Sequence, residues 1–415
     1  MESHLAAQDS ALQSQFVHKI GNTSDYVTSK HQVKFYNSGG NSFSPQGVKV
    51  CRWDLTCSGS QMLDPLSCIF QFKVSNPEYD GTANKNIHMA TLANSFFRRV
   101  TIKCGGVTIS DCDYTNREAH MLMQFAPKDN IENLEIMTGT TGTVIGAEKT
   151  FGIPILAPLF LQSKMLPLNF MSLQVSVELV DNFQDVMMKT SDLPAGVTGQ
   201  SSSWTISEPV IIGSLVTLDT QLANEFSDLL LRGKTLAIPC TGSVTFPSVI
   251  TNGAGGFNIA MTRSLSRLNQ IFQTFSSNAN DKYVADMVYP ALSSSAMMEW
   301  QGQIGPVRLP AWGSLQTIPE YWFSLQEAIG THASVFHTNA IQLTDYLTDS
   351  FVVGMNLTKV SSESGEDLFA GISTKQGDLL TFRTKNVSTN VDTVWTTLRY
   401  SMLVNISQDG VEVFE

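Results

Sequence analysis

Two segments of this chain share one plan at a fixed separation, and that repetition constrains the fold more than any other feature. In AMMEWQGQIGPVRLPAWGSLQTIPEYWFSLQEAIG, residues 296–330, a short strand pattern (Met298, Trp300) turns at Gly302 and at Gly305-Pro306. It then runs through an extended, proline-bounded stretch into a helix. Thr317 and Glu320 have capping-box spacing. Ile318, Tyr321, Leu325 and Ile329 recur at helical intervals, and Gly330 stands where a left-handed C-terminal cap is needed. The earlier segment is SFFRRVTIKCGGVTISDCDYTNREAHMLMQFAP. Phe96, Arg98, Val100, Ile102 and Cys104 alternate as a strand, Gly105-Gly106 turns, and Val107 and Ile109 begin the return strand. Thr115 and Glu118 repeat the capping-box spacing, Ala119, Leu122 and Met123 form an apolar stripe, and Pro127 ends the helix. The turns at Gly105 and Gly305 are 200 residues apart and the glutamates 202, close to half of the 415-residue chain. We read one β-rich domain present twice and diverged in sequence, with coincidence of two strand–turn–helix patterns as the alternative.

The rest of the chain fits two domains of about 200 residues, each large enough to bury a core. Residues 1–44 read as a polar N-terminal arm with sparse apolar residues (Phe16, Val17, Ile20, Tyr26) and a Gly/Ser/Asn-rich end. A first domain over 45–218 follows. Cys51, Trp53, Leu55 and Cys57 alternate with polar neighbours, as do Leu173, Val175, Val177 and Leu179, and a last strand is expected near 210–218. Residues 128–150 read as a polar loop, and 190–203 as another. A linker helix is written into 219–233: Asp219 as N-cap, Leu222, Phe226, Leu229 and Leu230 on one face, Gly233 as the stop. A second domain over 234–415 repeats the strand scheme. It closes on a long strand with Leu398, Tyr400, Met402, Val404 and Ile406 on one face. The expected architecture is all-β: two tandem eight-stranded antiparallel jelly rolls, with short helices in loops and a helical linker.

Composition narrows the function. Charged residues make up 15% and the net charge is −11, so a surface that coats DNA or RNA is not expected, and no Lys/Arg run exceeds Arg98-Arg99. The N-terminus lacks a basic start with an apolar core, and residues 151–161, the longest apolar run, are too short to span a bilayer. These features read as a soluble protein made in a cytosol, with the N-x-S/T sites at Asn22, Asn356, Asn386 and Asn405 unused and with no transmembrane segment. The six cysteines (Cys51, Cys57, Cys68, Cys104, Cys112, Cys240) show no C-x-x-C and read as small buried apolar residues.

No catalytic constellation stands out, and no catalytic, cofactor-binding or metal-ligating residue is assigned. GTVIGAEKT (142–150) has the look of a phosphate loop, but its lysine falls one residue late with no strand pattern before it. GAGGF (253–257) reads as a turn between strands. His332 and His337 are close in sequence but have no carboxylate or Cys at ligand spacing, and Glu363, Glu366 and Asp367 read as a solvated acidic loop. Trp312, Tyr321 and Trp322 read as packing within or between subunits rather than as a ligand platform. A two-sandwich chain without chemistry points to a structural or binding role.

Four stretches, in order and spacing, resemble a known family. The segment IGPVRLPAWGSLQTIPEYWFSLQEAIG resembles the turn-and-helix of the second jelly roll of viral double jelly-roll major capsid proteins. LANSFFRRVTIKCGGVTISDCDYTNREAHMLMQ is similar to the matching segment of the first roll in the polinton, adintovirus and polinton-like virus group. EPVIIGSLVTLDTQLANEFSDLLLRG resembles that family's bridge between rolls. KQGDLLTFRTKN with TVWTTLRYSMLVNISQDGVEV resembles its closing strand pair. Residues 128–203 and 276–295 match nothing in the family, and the chain is short for the group. The resemblance implies a non-enzymatic major capsid protein of the virion. Three copies would form a homotrimeric, pseudo-hexagonal capsomer that tiles an icosahedral shell around a DNA genome. Neighbouring capsomers, penton and minor or cement proteins are the implied partners, without sequence-specific nucleic-acid binding. A tandem β-sandwich carbohydrate-binding protein of lectin type is the alternative, and a glycan-acting enzyme on the same fold a third possibility.

Overall fold

A computed structural model describes residues 26–57, 59–250, 255–277, 282–293, 296–331, 341–359, 369–375 and 379–415. Most of the expected arm (1–25), the turn at 251–254, His332 and His337, and the acidic loop with Glu363, Glu366 and Asp367 lie outside them.

The first half contains β1 (Val27–Tyr36), β2 (Val50–Leu55), β3 (Gln61–Ser75), β4 (Phe97–Cys104) and β5 (Val107–Cys112). Helices α1 (Thr115–Phe125) and α2 (Lys128–Thr138) come next, then β6 (Glu148–Pro154), β7 (Leu173–Leu179) and β8 (Thr205–Leu218). Helix α3 (Thr220–Leu231) leads to β9 (Leu236–Val249), β10 (Asn258–Met261), β11 (Leu268–Ser277), β12 (Glu299–Ile304) and β13 (Val307–Leu309). Helices α4 (Ile318–Ile329) and α5 (Leu343–Tyr346) precede β14 (Val353–Asn356), β15 (Leu380–Lys385), β16 (Val391–Ser407) and β17 (Gly410–Phe414).

The strand orders carry the duplication. The first half forms sheets β1-β8-β3-β6 and β2-β7-β4-β5. The second forms β9-β16-β11-β14, with β17 added on β16, and β10-β15-β12-β13. Counted within each half, both read 1-8-3-6 over 2-7-4-5, the order of an eight-stranded jelly roll, and the pairings are antiparallel. The repeated modules fall at equivalent places. Each hairpin, β4–β5 or β12–β13, is followed by a helix before the sixth strand of its roll. Its two-residue turn begins with a glycine at positive φ (Gly105 +53°, Gly305 +52°), as a tight hairpin demands.

Alternating apolar residues from the two sheets meet in each core. In the first roll Trp53 meets Phe70 edge-on at 5.0 Å, and Phe72 meets Phe97 at 4.8 Å. Trp53, Phe70, Phe72, Phe96, Phe151 and Trp204 are fully buried, each stabilising by about 1.5–3 kcal/mol. In the second roll Trp300 packs on Phe382 of the neighbouring strand and donates its indole N–H across to the other sheet, to Gln273 Oε1 at 2.6 Å.

Three expectations change. Residues 27–36, assigned to the arm, are strand β1, hydrogen-bonded along β8 from Val27↔Leu218 to Tyr36↔Val210. Eight of its ten residues are exposed, so the strand lacks the apolar alternation that would have marked it. Residues 128–138, assigned to a loop, are helix α2; its Leu134, Ile136 and Met137 are exposed and form no buried stripe. The Thr115/Glu118 capping box does not form. Tyr114 occupies the N-cap in a left-handed conformation (φ 56°), and Thr115 Oγ1 instead donates to the Phe97 carbonyl at 3.1 Å. The Thr317/Glu320 box does form, with Glu320 Oε2 accepting from the backbone N–H of Thr317 at 3.0 Å and of Gln316 at 2.7 Å. Gly330 closes that helix in the left-handed region, and Asp219 caps α3 by accepting from Gln221 N–H at 3.1 Å.

Candidate assembly surfaces

The most built-up polar region is the seam between the rolls, and α1 is its centre. The residues from Thr115 to Met121 are all buried, although four of them, Asn116, Arg117, Glu118 and His120, are strongly polar. A helix buried around its polar residues needs a polar partner, and the second roll's β9-β16-β11-β14 sheet supplies it. Ser243 on β9 donates to Glu118 Oε2 at 2.7 Å. Burial pushes the Glu118 carboxyl above its ordinary pKa, against the opposing effects of the Ser243 hydrogen bond and the Arg399 charge. The Arg117 guanidinium lies 4.6 Å over the Trp395 ring of β16 and donates to the Tyr283 carbonyl at 2.8 Å. Tyr114 meets Trp395 edge-on at 4.9 Å, and Phe125 packs on Phe272 of β11 at 5.4 Å.

The segment after β11 grips the first roll in return. Val284 N–H donates to the Asp185 carbonyl at 3.2 Å, and Lys189 Nζ pairs with the wholly buried Asp286 carboxylate at 2.6 Å. His120 Nδ1 is 2.8 Å from Thr91 Oγ1. Burial, assisted by the Arg117 charge, pushes its pKa from 6.5 down to about 4, against a hydrogen bond to the Ala285 backbone. The seam also has a continuous apolar component, because buried side chains of both rolls form one cluster. Strand β5 packs against β9 and β17, so the edge of the first roll's β2-β7-β4-β5 sheet lies on the same second-roll sheet that receives α1.

This contact makes the two equivalent sheets unequal. In the second roll, nine of the ten residues of β11 are buried, because both faces are covered. In the first roll, the matching part of β3 alternates between buried and half-buried, and β1 is largely exposed. The outer face of β1-β8-β3-β6 carries a groove of about 370 Å³ whose lining includes Lys34, Tyr36, Gln71, Lys73, Glu208 and Val210.

The aromatic residues singled out by sequence separate. Tyr321 is buried and donates through its hydroxyl to the Met298 and Leu315 carbonyls at 2.7 and 2.9 Å. Trp322 packs on Tyr346 at 5.1 Å. Trp312 is 66% exposed. Residues 142–150 form the short strand Val144–Ile145 and the start of β6 rather than a phosphate cradle. Among the described residues, no group of three or more His, Cys, Asp and Glu side chains could hold a metal ion, and no helix is long and apolar enough to cross a membrane. All six cysteines are free thiols, five buried and Cys57 half-buried. Sequence reasoning missed Arg117, Glu118, His120, Lys189 and Asp286, whose partners lie far away in the chain.

No family model matches the sequence, and no curated protein matches it. Solved structures do match along nearly the whole chain. PBCV-1 VP54, fitted into a reconstruction of the virophage Sputnik, superposes with TM-score 0.67 at 12% identity, covering 96% of this chain and 99% of that one. This chain is a double jelly roll. The double jelly-roll likeness extends to the Sputnik virophage structure (TM-score 0.59, 11% identity, 97% and 92% covered). The Faustovirus major capsid protein matches with TM-score 0.58 at 7% identity, over 98% and 97%. At these identities the likeness is one of fold.

Proposed function

We propose that this double jelly roll is the major capsid protein of a DNA virus of the polinton, adintovirus and polinton-like group. Three copies form a pseudo-hexagonal capsomer, and the capsomers tile an icosahedral shell. The observation that carries this reading is the seam. Two rolls of identical strand order are packed side by side in one chain by a heterologous contact, sheet edge to sheet face. A heterologous contact that repeats around an axis closes a ring, and with two rolls per chain three chains supply six. The match to PBCV-1 VP54 over almost the full length of both chains supports the same reading.

The N-terminal stretch ahead of β1 belongs to this proposal as a tie between neighbouring capsomers, with penton and minor or cement proteins as further partners in the virion. Size-exclusion chromatography with light scattering tests the trimer. A mass of three chains is expected, and a stable monomer at assembly concentrations would overturn the reading. Removing residues 1–25 should leave trimers but impair shell assembly, and normal shells from the truncated protein would remove the arm from the model of assembly.

A further inference from the structure

We infer that the uncovered outer face of β1-β8-β3 in one copy receives the β13–Trp312 edge of the second roll of another copy, with the Trp312 side chain entering the groove beside Tyr36. The inference rests on the capsid reading and specifies where its subunits meet.

The intramolecular seam is the template. Within the chain, β5, the last strand of its sheet, lies on β9 and β17 of the other roll. Just past β5, Tyr114 places its ring against Trp395 on the receiving sheet. Trp395 sits in a row with Pro247 of β9 and Thr274 of β11. The second roll repeats the donating edge. Strand β13 is again the last strand of its sheet, and Trp312 follows just past it. The first roll repeats the receiving face. Val210 of β8 sits in a row with Tyr36 of β1 and Gln71 of β3, again near the end of the first strand of the roll.

Among the described residues both repeats are bare in one copy. Val307 is 52% exposed and Trp312 66%, while Tyr36 on the receiving face is 72% exposed. The groove between Lys34, Tyr36, Gln71, Lys73, Glu208 and Val210 lies over that row and is roomy enough for an aromatic side chain. Beside it, Glu208 adopts φ 51° and Ser207 to Val210 form a break in the β8 register, so the receiving strand is locally reshaped where the groove opens. A second copy of this chain is the occupant that fits, because the chain already packs the equivalent edge of its first roll on the equivalent face of its second. The contact is head-to-tail, so every copy both gives and receives.

The test uses the full chain. Trp312→Asp and Tyr36→Asp are purified beside the wild type, and mass is measured by light scattering, with circular dichroism melts confirming folding. Both residues are exposed in one copy, so each variant should keep the wild-type circular dichroism spectrum and a cooperative melt and lose the trimer, raising the concentration for half-association at least tenfold. A lower melting temperature is expected only as far as trimer formation stabilises the wild type. A second measurement avoids disruption altogether: Trp312→Cys protein is mixed with Tyr36→Cys protein and treated with a short bismaleimide. Covalent dimers should form in the mixture and not in either variant alone. A trimeric wild type whose two Asp variants stay trimeric, or whose cysteine mixture gives no covalent dimer, would overturn this interface and leave the capsid reading standing. A monomeric wild type would overturn both.

Discussion

Lys189 Nζ stands 2.6 Å from Asp286 Oδ1, across the seam and 97 residues apart in the chain. The carboxylate is wholly buried, its other oxygen accepting from Ser277 N–H at 2.9 Å, whereas the lysine side chain keeps 23% of its surface exposed. The two partners are therefore unequal. Replacing Lys189 with Met strands a buried charge with only one backbone donor and should cost about 3 kcal/mol. Replacing Asp286 with Asn leaves a lysine that can turn to water and should cost less. The double variant should recover part of the Lys189→Met loss, measured as the midpoint of urea unfolding. Equal single-variant costs that simply add would show that the pair contributes nothing across the seam.

Helix α4 offers a test of packing without charge. A Cβ on Gly354 would stand 2.8 Å from Leu325 Cδ1 and 3.1 Å from the Cβ of Ala328, with Leu325 Cα at 3.2 Å. The backbone of Gly354 is not in the left-handed region, so the effect of Gly354→Ala is steric alone. Overpacking of this kind costs about 1–3 kcal/mol. The melting temperature should drop, and the costs of Gly354→Ala and Leu325→Ala should sum to more than the cost of the double variant, because truncating Leu325 removes the Cδ1 contact. A Gly354→Ala protein as stable as wild type would show that α4 is free to move off β14.

The two capping-box spacings make a paired experiment. Thr317→Ala should cost about 1 kcal/mol, the usual value of an N-cap. Backbone hydrogen bonds from Gln316 and Thr317 hold the Glu320 carboxyl below its ordinary pKa. Its contribution is thus present above the normal carboxylate range and lost as pH falls below it. Thr115→Ala should also destabilise, but through the lost hydrogen bond to Phe97, and Glu118→Gln should not behave as a cap variant. The measurement is thermal melts of the four proteins at pH 7 and at pH 3. The part of the loss that sets in below the normal carboxylate range should shrink in Glu320→Gln, while the loss that His120 causes at higher pH persists in it.

These comparisons also show what could be read before the structure. The hairpin turns, the α4 caps at Thr317 and Gly330, and the α3 cap at Asp219 were legible because their partners are within a few residues. Thr115 and Glu118 have the same spacing as Thr317 and Glu320, yet Glu118 turns to Ser243, 125 residues away. Local spacing cannot register a partner that only the packing of two rolls provides. Strand β1 was hidden for a related reason: its outer face is bare in one copy, and Val33 and Phe35 are its partly buried apolar residues packed on the core. On α1 the sequence marks only the apolar stripe of Ala119, Leu122 and Met123, while in the fold its polar residues Asn116, Arg117, Glu118 and His120 form the middle of the seam.

His120 and Glu118, on that same helix, give the seam opposite responses to pH. An unfolded chain protonates His120 near pH 6.5, whereas the folded chain resists until about pH 4. Between those values the unfolded state binds more protons, so stability falls as pH drops through the window, by on the order of 2–3 kcal/mol from this residue. Glu118 has its pKa raised by burial, so the folded chain keeps a proton that the unfolded chain releases above about pH 4.5. Its contribution is therefore full below that pH and declines as pH rises. Thr91, Arg117 and the Ala285 backbone face His120, and Ser243 and Arg399 face Glu118. Melts from pH 4 to pH 8 should show His120→Gln flattening the acid limb and Glu118→Gln flattening the opposite limb. In Glu118→Gln the Ser243 hydrogen bond survives, because the amide oxygen still accepts. If both variants keep the wild-type profile, neither group titrates differently on folding, and the seam is not the pH-sensitive part of the molecule.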